Sequence, residues 1–353
     1  MAGKHSRRRK TAGTLSKAAA ATAALGVVSA APAFAASAFT VRGTDILSPG
    51  DSPETIVPGI FAGYDVAPID YGASPLGIDR SAREAAAAVG RAVDGTDGDM
   101  IVAGFSQGAI AVAYEKQRLM ALPPEQRPAA DELTFVTVGD PTGPQGIMRW
   151  LPGRVPVVGV QPVDVPETPY DTVIVNREYD GWADFPDRPW NLVSTANAVA
   201  GIVYVHGRYP ELGPIDLDTV PAEDVTETTN SLGGKTTNYL VRTDKLPLVQ
   251  PLRDLHVPEP VVAAIEQPLK RVVDAGYARN DAAGSATTTT TPKVRPSFKA
   301  TPGETAVATK ADKVDAKPDP IKADHDTKAD DAKPAGDAQG ASEGDNDSKA
   351  AAA

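Results

Sequence analysis

The chain is predicted to fold as an α/β protein, with a mostly parallel sheet covered by helices on both faces. Short apolar runs of strand length alternate along it with amphipathic stretches of helix length, and that alternation produces parallel strands joined by crossover helices. The clearest strand, Met100-Ile101-Val102-Ala103, is apolar at every position, as a strand buried on both faces is. Gly, Pro and Asp punctuate the boundaries between these runs.

Phe39-Thr40-Val41 is a first short strand. Residues 81–93 form an amphipathic helix with Ala85, Ala86, Val89 and Val93 on one face. Met100 to Phe105 is the second strand, and a helix from Gln107 to Leu122 ends at Pro123-Pro124. Residues 133–138 are a strand closed by Gly139-Asp140-Pro141, and residues 156–160 are expected to form another. Residues 171–175 are a strand running into Asn176-Arg177-Glu178-Tyr179-Asp180, followed by a helix over 191–205. Leu240-Val241 belongs to a late hairpin turning near Leu232-Gly233-Gly234, and the last helix spans 258–275.

Both ends read differently. Lys4, Arg7, Arg8, Arg9 and Lys10 precede an apolar stretch from Ala18 to Ala31 and the small-x-small site Ala33-Phe34-Ala35. This is the pattern of an export signal, residues 1–35, removed after Ala35; Ser6-Arg7-Arg8 hints at a twin-arginine route that the following residues do not support. From 281 to 353 the chain is rich in Ala, Thr, Lys, Asp and Pro, starting at Thr287-Thr288-Thr289-Thr290-Thr291-Pro292. Such a segment buries too little apolar surface to offset its ordering entropy, so a disordered tail or wall-spanning spacer is expected. Residues 36–280 remain as one large domain of about 240 residues.

The 353-residue chain contains no cysteine, which excludes a thiol nucleophile, a thiolate metal site and disulfide stabilisation. Its formal net charge of -11 argues against nucleic acid as a partner. Beyond the signal there is no apolar run long enough to span a bilayer. A secreted or envelope-associated protein is expected.

Chemistry enters at Gly104-Phe105-Ser106-Gln107-Gly108, a Gly-x-Ser-x-Gly turn between a buried strand and a helix. A sharp turn there lifts the serine Oγ clear of the backbone, where a histidine can activate it. Of four histidines, His5 leaves with the signal and His325 lies in the tail, leaving His206 and His256. A loop before the final helix is where many α/β-hydrolases keep their base, which favours His256; local composition favours neither. The orienting acid should follow a strand after the nucleophile. Asp180 ranks first, Asp184 second and Asp140 third, with Asp187 also in the neighbourhood. The oxyanion donors expected are the backbone N–H of Gln107 and the Arg42-Gly43-Thr44 loop, through Thr44. No cofactor and no metal are called for. Trp182, Phe185 and Trp190 are candidates for lining an acyl site, with core packing as the alternative.

Several segments together resemble one family. Gly-Phe-Ser-Gln-Gly at 104–108, Val-Gly-Asp-Pro at 138–141, Glu-Tyr-Asp-Gly-Trp-Ala-Asp-Phe-Pro at 178–186, Asn-Ala-Val-Ala-Gly at 197–201, Tyr-Val-His-Gly at 204–207 and Leu-Pro-Leu-Val-Gln-Pro-Leu-Arg at 246–253 are similar to the PE-PPE domain, a cutinase-like serine α/β-hydrolase of actinomycetes. The resemblance covers roughly residues 55 to 280. It implies a Ser-Asp-His triad at Ser106, Asp180 (with Asp184 still open) and His206, against the topological preference for His256. It also implies an esterase acting on short to medium acyl esters, or an acyltransferase acting on trehalose lipids of the envelope. Arg42-Gly43-Thr44 is similar to the oxyanion segment of cutinases. An export signal stands where a PE or PPE module often precedes this domain, and the disulfides of true cutinases are missing. The partners and secretion route of PE or PPE proteins are therefore not carried over. The expected partner is an acyl-ester or lipid substrate, with cell-wall polymer as a partner for the tail. The rival from another class is a catalytically silent envelope protein that binds lipid.

Overall fold

The structure is a computed structural model and describes residues 36–45 and 50–281; the expected export signal and the tail from 282 onward lie outside the described residues. In chain order the elements are β1 (Ser37–Val41), α1 (Pro53–Ile56), β2 (Asp65–Pro68), α2 (Ile78–Asp94), β3 (Met100–Phe105), α3 (Gln107–Ala121), β4 (Leu133–Val138), β5 (Asp171–Arg177), α4 (Leu192–Tyr204), β6 (Val225–Thr229), β7 (Lys235–Val241), α5 (Gln250–Asp254) and α6 (Glu259–Asp274). The strands form one 7-stranded sheet in the order β2-β1-β3-β4-β5-β7-β6. Every neighbouring pair is parallel except β6 with β7.

β3 sits in the interior of the sheet and is buried at all its positions, which explains its unbroken apolar sequence. One face of the sheet packs on α2 and α3 through Val89, Val93, Ile110, Leu119 and Phe135. The other face buries Ile101, Phe105, Val138, Val175 and Tyr209 beneath α1. A third apolar cluster, including Tyr179, Val262, Val273 and Tyr277, lies under α6. α3 stops where Leu122 turns extended before Pro123, the backbone region that a following proline favours.

The register brings the ends of four strands level. Gly104 pairs with Val41, Phe105 with Val138, and Val138 with Val175. Parallel pairing therefore delivers the loops after β1, β3, β4 and β5 to the same sheet edge, where open α/β sheets bind their ligands.

The expected strand at 156–160 is not one. Val155 N–H donates to Val160 O at 2.8 Å and Gly159 N–H to Val155 O at 2.9 Å, closing a tight loop in which Val157 takes a φ of +69°. Five apolar-rich residues resembled a strand, but Pro156 and Gly159 turn the chain instead. The late hairpin is present as β6–β7 around Asn230–Gly234, and β7 also inserts beside β5 in parallel. Elements without a sequence signal were α1, α5 and the edge strand β2, whose residues are mostly exposed.

Candidate active site

Ser106 sits between β3 and α3 with φ 54° and ψ −112°. A residue other than glycine in such a conformation is strained, and strain of this kind gathers at functional sites. Ser106 N–H donates to Val138 O at 2.9 Å, holding the turn to the next strand. The two motif glycines explain how the turn closes. A Cβ on Gly104 would lie 2.2 Å from Gly108 O, and a Cβ on Gly108 would lie 2.1 Å from Val41 O. Both positions require glycine because backbone passes where a side chain would stand.

Ser106 Oγ lies 2.7 Å from His206 Nε2. His206 follows α4 and is 2 % exposed. Its ring stacks on Phe105 at 5.3 Å between centroids and meets Tyr209 edge-on at 5.9 Å. Its Nδ1 is 2.8 Å from Asp180 Oδ2 and 2.9 Å from Asp180 Oδ1. Asp180, just beyond β5, is fully buried. Its carboxylate also accepts from Trp182 N–H at 2.9 Å, Ala183 N–H at 3.2 Å and the Tyr209 hydroxyl at 3.0 Å. With these donors around it, a buried anion there is well solvated by the protein itself.

The other acids face elsewhere. Asp184 accepts from Tyr179 N–H at 2.7 Å and from Arg279 at 2.7 and 2.9 Å. Burial pushes the Asp184 carboxyl up against the opposing pull of Arg279. Asp140 folds back on its own turn, accepting from Thr142 N–H at 2.8 Å and its hydroxyl at 2.7 Å. Asp187 takes a hydrogen bond from Ala278 N–H at 2.7 Å and pairs with Arg149 at 3.1 Å. His256 is exposed, at a φ of +58° between α5 and α6, and does not line the Ser106 cavity.

Gln107 and Thr44 both border the cavity of about 140 Å³ that also exposes Ser106 and His206. Gln107 begins α3, so its N–H is among those with no intrahelical acceptor. Its side chain donates to Ile78 O at 3.2 Å and Ser74 O at 3.4 Å, tying the helix start to the 74–78 loop. The loop carrying Thr44 is held by the Tyr71 hydroxyl, which donates to Arg42 O at 2.7 Å, and by Gly43 N–H to Asp51 O at 3.2 Å. Arg42 also pairs with Asp45. Of the three aromatics expected near an acyl site, Trp182 lines the cavity. Phe185 is buried elsewhere and Trp190 is 71 % exposed.

Two residues that the sequence did not point to support the site. Tyr71 braces the loop after β1. Tyr209 accepts from Arg177 N–H at 3.0 Å while donating to Asp180. Burial, and then the Asp180 charge, push the Tyr209 phenol well up, so it stays a neutral donor. Neither carries a local signal, since each acts on a partner about thirty positions away. Among the described residues no group of three or more His, Asp or Glu converges as a metal-binding set would.

Residues 53–278 match the PE-PPE domain. The chain belongs to the PE-PPE domain family. Its relatives in Mycobacterium tuberculosis include the esterase PE16, 37% identical over 187 residues, covering 51% of this chain and 34% of that protein. The diacyltrehalose acyltransferase Chp2 is 40% identical over 197 residues, covering 53% of each. The SL1278 acyltransferase Chp1 is 36% identical over 192 residues, covering 53% of this chain and 45% of that protein. The chain thus spans between a third and about half the length of these relatives. Among solved structures, lysin B from Mycobacteriophage D29 is similar at 24% identity and a TM-score of 0.26, covering 35% of this chain and 54% of that one. A cutinase-like protein from Cryptococcus sp. is similar at 18% identity and a TM-score of 0.28, covering 51% and 95%. In this PE-PPE chain, the parallel sheet and the strand–serine–helix turn at its centre are those of an α/β-hydrolase fold.

Proposed function

We propose that this PE-PPE chain is an exported serine hydrolase that cleaves carboxylic acyl esters through an acyl-enzyme. The observation that carries the proposal is the unbroken relay from Ser106 Oγ to His206 Nε2 at 2.7 Å and from His206 Nδ1 to Asp180 at 2.8 Å. In this reading Ser106 Oγ attacks the ester carbonyl carbon and its proton passes to His206 Nε2. The carbonyl oxygen takes the negative charge, which the N–H groups of Gln107 and Thr44 stabilise. Collapse breaks the bond to the alkoxy oxygen, and the alcohol leaves with the proton from His206. A second hydroxyl then attacks the acyl-enzyme with His206 as base, regenerating Ser106. Asp180 keeps the imidazole in the tautomer with hydrogen on Nδ1 and stabilises its cation.

Whether that second hydroxyl belongs to water or to a sugar separates a hydrolase from an acyltransferase. The acyltransferase reading is favoured by Chp2 and Chp1, 40% and 36% identical to this chain and named as acyltransferases. The lipid nature of the substrate is supported by those names and by the mainly apolar cavity wall of Ile78, Ile110, Val158 and Val160. We further propose that residues 36–280 form the exported catalytic unit and that the tail contacts cell-wall polymer. No helix among the described residues is long and apolar enough to cross a membrane.

Fluorophosphonate labelling of the mature protein beside Ser106→Ala tests the nucleophile. Labelling and p-nitrophenyl ester turnover should both vanish in the variant. A folded wild type that neither labels nor turns over esters would favour a silent lipid-binding protein. Adding trehalose during turnover separates the acceptors, since an acyltransferase yields acyl-trehalose.

A further inference from the structure

We propose, resting on Ser106 as the acyl-transfer nucleophile, that an exposed apolar lip formed by Leu76 and Val157 is the distal part of the acyl site and selects chains longer than about six carbons. The cavity beside Ser106 is small for a lipid chain, at about 140 Å³. A dry cavity of about 150 Å³ holds one benzene, so about six acyl carbons fill this one. A longer chain must leave through the mouth.

Two exposed apolar side chains stand next in sequence to residues of the cavity wall. Pro75 and Ile78 line the cavity and flank Leu76, and Val158 lines it next to Val157. Leu76 is 62% exposed and Val157 82%. The two segments are joined as one lip. Ile78 N–H donates to Val158 O at 3.0 Å and Asp79 N–H to Gly159 O at 3.2 Å. Gly159 is so close to Gly77 that a Cβ on it would lie 2.7 Å from Gly77 Cα.

The backbone at Val157 points the same way. Its φ is +69°, and Val158 N–H donates across it to Pro156 O at 2.9 Å. That is a γ-turn of the rare, strained kind, here centred on a β-branched residue for which positive φ is a genuine outlier. Folding gains nothing from a strained turn that presents a valine to water. A bound acyl chain supplies the missing contact, because it covers the valine and is itself removed from water.

Burying one methylene fully is worth about fourfold in binding, so an open lip that covers half of it should give about twofold per carbon. The test is kcat/KM for p-nitrophenyl butyrate, hexanoate, octanoate and decanoate, each below its aggregation concentration, in wild type and in Leu76→Ser/Val157→Asn. Asparagine tolerates positive φ better than a β-branched residue, so the substitution adds no new backbone conflict at the turn. The decanoate-to-butyrate ratio should fall about tenfold or more in the variant. A general loss of activity lowers both esters together and leaves the ratio unchanged. A ratio within twofold of wild type overturns the proposal. Should the wild type neither label with fluorophosphonate nor turn over esters, the Ser106 assignment fails on its own. The lip is then judged by calorimetric titration with sodium decanoate and sodium hexanoate. Tighter binding of decanoate that is lost in the variant supports it, and an unchanged preference refutes it.

Discussion

Replacing Tyr209 with phenylalanine removes one oxygen and almost no volume, so its effect isolates the hydroxyl. That hydroxyl accepts from Arg177 N–H at 3.0 Å and donates to Asp180 Oδ2 at 3.0 Å. Tyr209 is fully buried, so water cannot take its place at either partner. The variant leaves a buried N–H unpaired and takes one donor from a buried carboxylate. Each buried group left short costs about 1–3 kcal/mol, and Asp180 keeps His206, Trp182 N–H and Ala183 N–H. The expected net loss is about 2–3 kcal/mol, or roughly 5–10 °C in Tm for a domain of this size. Activity should fall less steeply than folding alone would imply for a core defect. Asp180 still lies against His206 Nδ1, so on the proposed mechanism we expect about a tenfold drop in kcat, far from the roughly 10⁴ that loss of a triad aspartate brings. Thermal melts by circular dichroism and ester turnover well below Tm provide the two readouts. An unchanged Tm with unchanged kcat would show that the hydroxyl bridges nothing of consequence. A 10⁴-fold loss would show that Asp180 cannot orient His206 without it.

Gly108→Ala should place a methyl 2.1 Å from Val41 O, forcing α3 away from β1. Overpacking of this kind costs about 1–3 kcal/mol or more, and an ångström of displacement at Ser106 about 10²-fold in rate; the rate of fluorophosphonate labelling measures the second effect and a chemical melt the first. Lys116 is buried on α3, donates to Thr172 Oγ1 at 2.9 Å, and is lowered to about 8 by burial, with Asp140 opposing. Between pH 8 and its unfolded value near 10.4 the unfolded chain holds a proton that the folded protein lacks, so this residue's contribution to stability rises with pH there. Lys116→Met should therefore be more stable than wild type at pH 7, by up to about 3 kcal/mol less the lost bond to Thr172, and the advantage should shrink as pH climbs through that window. Urea melts of both proteins across pH 7 to 10.5 measure it, and a constant difference would mean that Lys116 is solvated in the folded state.

The sequence by itself determined the layering of this protein and the place of its serine. Apolar-rich runs mark β3, β4 and β5, and the one-sided face of Ala85, Ala86, Val89 and Val93 marks α2, because burial on two faces or one writes directly into residue order; α3, buried at most of its positions, is read instead from its length and the Pro123-Pro124 stop. Gly104 and Gly108 announced a close-packed turn, but only Gly104 meets a near neighbour in the chain, Gly108 O; Gly108 is required by Val41 O on β1, a contact the fold makes. Sequence also placed residues 156–160 in a strand, since apolar content resembles a strand until Pro156 and Gly159 act on it.

The choice among acids and histidines was different. Asp180, Asp184 and Asp187 stand within one loop, and sequence could rank Asp180 ahead of Asp184 only by its place directly after β5. Only the folded chain decides that Asp180 meets His206 while Asp184 turns to Arg279, a partner 95 positions later. Topology alone favoured His256 and the family resemblance favoured His206; the fold brings the end of α4, with His206, beside Phe105 and Ser106. Tyr209 and the backbone pairing of residues 78–79 with 158–159 were invisible for the same reason. A hydrogen bond joins residues through space, and its energy depends on distance after packing rather than on neighbours in the chain.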